Sequence, residues 1–394
     1  MSGVFTSKAV ASRMPATRDY RIDFWRGVAL VMIFLNHIPG NIFAPLTSRN
    51  FGVSDAAELF VLLAGVAAGI AYDPRKPTPV FPHIIFKTFA RAWKLYASHI
   101  VTCIVCVGAL VACAYIFEEP FWLETHGLKS FFDSPELGML GLAALGYQPA
   151  YLNILPMYIM FMLALPLIVL TARYSLLLLF CLSAALYFSA HAWGLVFHTY
   201  PDQGTWFFNP IAWQFLFVIG YCSSVIARSD TGIPYHPWLF FASVAYLLFC
   251  LIIVRFALWP ANDLLPLPRM LWQFEKQSID LPRILHVLAL VYVVTQLPIH
   301  RRMRDIGRDN ILVQFGRNSL AVFCLGSVLS MLGQVLRQET NGSVVGDIAI
   351  VGSGLVILYI AVQVIEWKQD VLSQPKPKPI ASPESAALLR EQQR

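Results

Sequence analysis

The sequence predicts an all-α, polytopic integral membrane protein with about ten transmembrane helices and both termini cytoplasmic. Three observations carry that reading. Of 394 residues, 57% are hydrophobic and only 13% are charged, about half the charged share of a soluble globular chain. Apolar windows near the ~20 residues needed to cross a bilayer recur along the chain. The basic residues also sort by side. The same composition excludes a soluble fold, intrinsic disorder and a disulfide scaffold. Cys103, Cys106, Cys113, Cys181, Cys222, Cys250 and Cys324 all fall in apolar windows and read as packing residues. No metal site is expected, and the net charge of +6 reflects membrane topology rather than a nucleic-acid partner.

The spans are expected at 24–43, 55–73, 95–117, 151–171, 174–193, 210–227, 238–258, 282–299, 312–335 and 345–366. The first run is too long for a cleaved signal peptide and lacks a small-residue cleavage site, so it reads as a signal anchor. Pro39 and Gly40 end or kink it. The second opens on Ser54-Asp55, a helix-cap signature, and carries Gly65 and Gly69, a small-x-x-x-small face for close helix approach. A basic stretch precedes the third. The fourth and fifth are separated by a short turn at Arg173. Residues 1–21 form a cytoplasmic segment and 22–367 the transmembrane domain. The stretch 368–394, with Pro375, Pro377, Pro379 and Pro383, is expected to be a disordered cytoplasmic tail.

Orientation follows from the cations. With the N-terminus inside, only Arg49, Lys129, Arg255, Arg269, Lys276, Arg283 and Arg337 of the 29 Lys and Arg residues lie outside, leaving 22 inside. The outside loops 118–150, 198–209 and 259–281 are the longest and carry aromatic and polar residues, which suits a polar ligand reached from outside.

Ionisable residues within apolar spans are costly and are therefore functional candidates. Arg26 and His37 are eleven positions apart on the first span. That is about three helical turns, so they share one face at roughly 16 Å separation. Imidazole is the side chain that changes protonation near neutral pH, which makes His37 a candidate general base. Asp23 precedes Arg26 by three residues and is expected to pair with it. On the second span, Asp55 and Glu58 lie one turn apart, and Glu58 is expected at the depth of His37, where its carboxylate could orient the imidazole. Asp55 reads equally well as a cap or as a site residue.

Arg26, Arg75, Lys76, Arg91 and Lys94 form an inside cluster suited to the phosphates of a thioester donor, although positive-inside sorting alone would also place them there. Arg283 and His286 open the eighth span from outside. An Arg there opposes both the sorting and the helix dipole, so it suggests a bound anion; Arg269 is a second candidate. Two physical readings stay open: a transmembrane acyltransferase and a proton-coupled solute carrier. The carrier would usually show internal repeats, and no convincing repeat is found.

The motifs resemble the acyltransferase-3 superfamily, which has an Arg, ten intervening residues and a His on its first span. Here these are Arg26 and His37, within Ile22-Asp23-Phe-Trp-Arg26-Gly27. The second-span run Glu58 to Gly65 is similar to an aromatic-x-x-Ser-Gly helix, with Ala64 in place of Ser. Within the superfamily, the chain more closely resembles the OpgC group over residues 18–366. The supporting segments are Ser54-Asp55-Ala-Ala-Glu58, Tyr151-Leu-Asn-Ile-Leu-Pro-Met-Tyr158, Phe208-Asn-Pro-Ile-Ala-Trp-Gln214, Arg283-Ile-Leu-His286 and Phe315-Gly-Arg317-Asn-Ser319.

The resemblance implies a bacterial inner-membrane O-succinyltransferase acting on osmoregulated periplasmic β-glucan. Succinyl-CoA would be a co-substrate from the cytoplasm, with no tightly bound cofactor. His37 would be the general base for direct transfer, supported by Glu58 and Asp55. The donor would be bound by Arg26, Asp23, Arg75, Lys76, Arg91, Arg317 and Ser319. Asn36, Asn153, Tyr158, Trp213, Gln214, Arg269, Arg283 and His286 would contact substrate or the oxyanion. The expected partners are the acyl-CoA, the glucan and the bilayer, and a homo-oligomer is compatible with the sequence. An O-acetyltransferase of another surface polysaccharide remains the alternative of the same chemistry.

Overall fold

A computed structural model describes residues 18–75, 81–228, 234–261 and 265–373. The expectations for Lys76, for residues 1–17 and for 374–394 lie outside the described residues. Among those described, regular structure is helical; the one β feature is an isolated bridge between His198 and Thr205.

Helix α1 (Tyr20–Asn36) starts where the Asp19 carboxylate accepts the Arg21 amide at 3.1 Å, satisfying one of the donors a helix start leaves open. Its 17 residues span about 26 Å. The chain leaves the helix at His37, the C-cap residue, before Pro39 and Gly40, whose φ is +79°. The Asn41 amide donates to the carbonyls of Leu35 (2.8 Å) and Ile38 (2.6 Å) and so fixes that end.

Helix α2 (Ala56–Ala71) opens on a capping box. The Asp55 carboxylate accepts the Ala57 amide, and the Glu58 carboxylate reaches back to the Asp55 amide, each at 2.8 Å. The other long helices are α3 (Phe81–Ile116), α4 (Ile154–Tyr174), α5 (Leu176–Trp193), α6 (Pro210–Ala227), α7 (Pro237–Arg255), α8 (Leu281–Gln296), α9 (Ser319–Glu339) and α10 (Val344–Ser373).

Helices thus stand at each of the ten expected spans. Seven are long and apolar enough to cross a membrane: α3, α4, α5, α6, α7, α9 and α10. The apolar α2 and α8 are shorter, at 16 residues each, and α1 carries Arg21, Asp23 and Arg26.

The structure differs from expectation at two places. Helix α3 has 36 residues, so Lys87, Arg91 and Lys94 lie on a helix rather than in a loop. Ile84, Thr88, Ala92 and Leu95 form its buried stripe while the basic side chains face out, the pattern of an amphipathic helix. Helix α10 runs to Ser373, past the expected domain end at 367.

Helix α6 is the centre of the bundle. Its Trp213, Phe217 and Tyr221, together with Phe161 and Tyr187, are among the largest fully buried side chains. Helix α2 lies directly on it, because Gly65 faces the Phe217 carbonyl and Gly69 faces Tyr221 and Ser224, as the small-residue spacing predicts. Helix α1 packs on the short helix Ile311–Arg317, α3 on α4 and α9, and α7 on α8.

Gly65→Leu would drive a side chain into the α6 backbone. It should lower unfolding stability in detergent by about 1–3 kcal/mol or more. Gly108→Ala, where nothing lies within 4 Å of an added Cβ, should leave the thermal midpoint unchanged.

Candidate active site

At the His37 end of the bundle lies a cavity of about 470 Å³, lined by Asn36, His37, Arg49, Asp55, Tyr151, Asn153 and Lys276 with the rings of Phe207 and Phe208. Because α1 ends at His37, the imidazole projects from a helix terminus into this space. Its ring lies 4.9 Å from that of Tyr151, and neither ring nitrogen makes a hydrogen bond among the described residues. The backbone is held instead. The Gln334 amide donates to the His37 carbonyl at 2.6 Å, and the Gln334 Oε1 contacts the His126 Nε2 at 3.1 Å. His126 is fully buried, and its Nδ1 reaches the Trp122 carbonyl at 3.0 Å.

Asn36 precedes His37. Its Oδ1 accepts the Thr47 hydroxyl at 2.7 Å, which leaves its N–H groups for the cavity. Asn153 stands at the N-cap of α4 without making a cap bond, and its amide nitrogen is 3.5 Å from the Gln148 Oε1. Tyr151 has φ +68°, a conformation that non-glycine residues hold only where their surroundings impose it. Burial pushes its phenol above the usual value, and the Arg49 charge opposes that shift.

The charges at this end cancel in a chain. The Arg283 guanidinium grips Glu58 at 2.5 and 2.7 Å and donates to the Phe274 carbonyl at 3.3 Å. It also stands 4.0 Å from Asp55, which takes the Lys276 ammonium at 2.5 Å. Lys276 lies over Phe207 and Phe208, 5.8 and 5.6 Å from their centroids. Its loop is closely pinned. The Trp213 indole donates to the carbonyls of Lys276 and Gln277, the Tyr187 hydroxyl to the Ile279 carbonyl, and the Glu275 amide to Asp280.

Several sequence expectations are corrected by this geometry. Glu58 does not orient His37; it folds back to cap α2 and pairs with Arg283, as an Asp-x-x-Glu capping box dictates. Arg283 is consequently neutralised and buried rather than open to an anion. His286 meets Ser54 at 2.7 Å and lines a separate apolar cavity of about 640 Å³, together with Trp25, Val28, Met32 and Leu290. Trp213 spends its N–H on the loop. Gln214 is saturated by Ser183 and the Ile211 carbonyl. Tyr158 donates to the Phe60 carbonyl at 3.1 Å, away from the cavity. Arg269 is exposed and does not line it. Asp55 is both cap and cavity wall.

At the other end of α1, Asp23 pairs with Arg18 at 2.8 and 2.9 Å, not with Arg26. Arg26 donates to the Ser319 hydroxyl at 2.6 Å and lies 5.9 Å from the Phe60 ring centroid. Its Nε is buried without a partner, and Arg91 is within electrostatic range. Arg26 and Ser319 are therefore brought together. Arg317 is held by Glu366 at 2.9 Å, and Arg75 by Asp73 at 2.9 Å; both charges are balanced.

A family model described as OpgC protein matches residues 18–370. The chain belongs to the OpgC protein family. Membership indicates an acyltransferase-like membrane protein of glucan modification. No match is found among curated proteins or solved structures. The cavity holds two charged residues that sequence reasoning missed, Arg49 and Lys276, beside the uncharged Thr125, Tyr151, Phe207 and Phe208, which it also missed. Arg49 and Lys276 are among the seven cations that break the charge sorting, so the signal was present, but it was weighed only for Arg283 and Arg269.

Glu58→Gln strands the buried Arg283 charge and should cost about 3–5 kcal/mol in unfolding measurements. Glu58→Leu combined with Arg283→Leu should recover most of that loss, since replacing both partners removes the uncompensated charge.

Proposed function

We propose that this protein is a bacterial inner-membrane O-acyltransferase. It moves a succinyl group from cytoplasmic succinyl-CoA to a hydroxyl of an osmoregulated periplasmic glucan. The observation that carries this reading is the imidazole of His37, without a hydrogen bond among the described residues, in a cavity where polar groups stand among apolar and aromatic ones, at the end of the helix that carries the incompletely partnered Arg26. A base with both nitrogens uncommitted can accept a proton from an incoming hydroxyl. A half-buried guanidinium whose buried Nε has no partner among the described residues suits an anionic or strongly accepting group.

In this reading Arg26, Ser319 and Arg91 hold the donor at the cytoplasmic side, and its thioester reaches the cavity between helices. His37 takes the acceptor hydroxyl proton. The oxygen attacks the thioester carbonyl, and the amide N–H of Asn36, joined by Asn153, stabilises the oxyanion. The C–S bond breaks as the new ester C–O bond is made, and the proton passes from His37 to the departing thiolate. Among the described residues no serine or cysteine lines the cavity, and the Thr125 hydroxyl that does is spent on the Phe121 carbonyl, which suits direct transfer without a covalent enzyme intermediate. Phe207, Phe208 and Tyr151 offer the aromatic faces on which a sugar ring can rest.

Purified protein supplied with succinyl-CoA and glucan should release free thiol and form succinyl ester in equal amounts. Absence of thiol release with any acyl-CoA would sink the enzyme reading. His37→Ala should reduce transfer on the order of 10²–10⁴-fold while the thermal midpoint stays near that of the unaltered protein. Arg26→Ala should raise the KM for acyl-CoA more than it lowers kcat.

A further inference from the structure

Three cationic side chains stand at or beside the cavity, and two are already satisfied. Lys276 is locked on Asp55 and seated over two phenylalanine rings. Arg283 is buried on Glu58. Arg49 also lines the cavity and makes no ion pair or side-chain hydrogen bond among the described residues. It is not a loose surface group by backbone. It sits in the short helix Ser48–Asn50, whose preceding Thr47 donates its hydroxyl to the Asn36 Oδ1. Asn50 donates to the Ala44 carbonyl at 2.7 Å, and Asn41 anchors the loop start to the end of α1. The loop that carries Arg49 is thus built on the residues flanking His37, and Tyr151 feels both His37 and Arg49.

Arg49 is exposed, so water solvates its guanidinium in the free protein; the other charged walls of the cavity, Asp55 and Lys276, are paired with each other, which leaves the Arg49 charge available to an anion. A glucan supplies hydroxyls only. The acyl group of the proposed donor supplies a carboxylate, three carbon–carbon bonds from the thioester carbonyl. A planar guanidinium suits that ligand because its fork can meet both carboxylate oxygens at once.

We infer that Arg49 is the specificity-determining residue that reads the free carboxylate of a dicarboxylic acyl donor, selecting succinyl over uncharged acyl groups. The inference rests on the proposed acyltransferase function and names the group that sets its donor preference.

The test compares succinyl-CoA with butyryl-CoA, which has the same chain length and no carboxylate, using one glucan acceptor throughout. The unaltered protein should prefer succinyl-CoA. In Arg49→Gln the ratio of kcat/KM values, succinyl over butyryl, should fall on the order of tenfold to a hundredfold, the size expected for a charge-assisted hydrogen bond. Arg49→Lys should lie between, because a single ammonium keeps the charge but loses the fork. Thermal midpoints of both variants report whether the loop still folds. An unchanged ratio in Arg49→Gln overturns the inference. So does an equal loss with both donors, which would put Arg49 on the acceptor. Loss of succinyl-CoA turnover only in His37→Ala, with the ratio intact in both Arg49 variants, would leave the enzyme reading standing and the inference refuted. Failure of the unaltered protein to use any acyl-CoA would refute both.

Discussion

The site end of the bundle is built around one ion pair. Glu58 has no exposed surface, and its partner Arg283 is 8% exposed. A carboxylate this deep in an apolar bundle is tolerable only if a cation and further hydrogen bonds meet it. Here Arg283 supplies the cation and the Asp55 amide a hydrogen bond. That requirement draws the start of α8 against the start of α2. It also recruits the Phe274 carbonyl and so brings in the loop that carries Lys276. Lys276 then meets Asp55, and the wall of the cavity is complete.

Once those four charges are accounted for, the remaining ones become informative. Arg26 and Arg49 lie at opposite ends of the α1 segment and neither has an acidic partner among the described residues. Arg26 retains a buried Nε without a hydrogen bond. Several other cations at the Arg26 end are spent on structure: Arg18 on Asp23, Arg75 on Asp73, and Arg308 and Arg317 on Glu366. Counting basic residues therefore says little about ligand binding until the internal pairs are subtracted.

The helical class, the spans and the α2–α6 contact were legible because they depend on local pattern: runs of apolar residues and Gly65-x-x-x-Gly69. His37 and Arg26 were legible because polar groups inside such runs stand out. What failed was partner choice. Asp23 lies near enough to both Arg18 and Arg26 in sequence, and only packing decides; Gly316 meets the Asp23 backbone, bringing the Ile311–Arg317 helix against α1, and Ser319 then reaches Arg26. Glu58 was assigned to His37 by depth alone. Yet Asp55-x-x-Glu58 is itself a capping-box signature, which already predicted that the carboxylate folds back toward the helix start. The pairing of Lys276 with Asp55 was out of reach, since it depends on hydrogen bonds that Trp213 and Tyr187, on two distant helices, donate to the Lys276 loop, and on the Glu275 amide's bond to the Asp280 carboxylate.

The position of His37 at a helix end, rather than within a helix, has a chemical consequence. A mid-helix imidazole would be hemmed in by side chains one turn away and would need a hydrogen bond inside the bundle. At the C-cap, the ring leaves the helical array while its backbone stays fixed by its amide bond to the Ile33 carbonyl and by the Gln334 amide on its own carbonyl. The structure thus orders the residue through its main chain and leaves both ring nitrogens without a hydrogen bond among the described residues. That division of labour is what a general base needs: a fixed location, with a proton site not already occupied by a structural partner. The same logic holds for Asn36, whose oxygen is fixed by Thr47 and whose N–H groups are not. Two adjacent residues are each anchored by one group and available by another, and the Pro39-Gly40 break that ends the helix is what makes this arrangement possible.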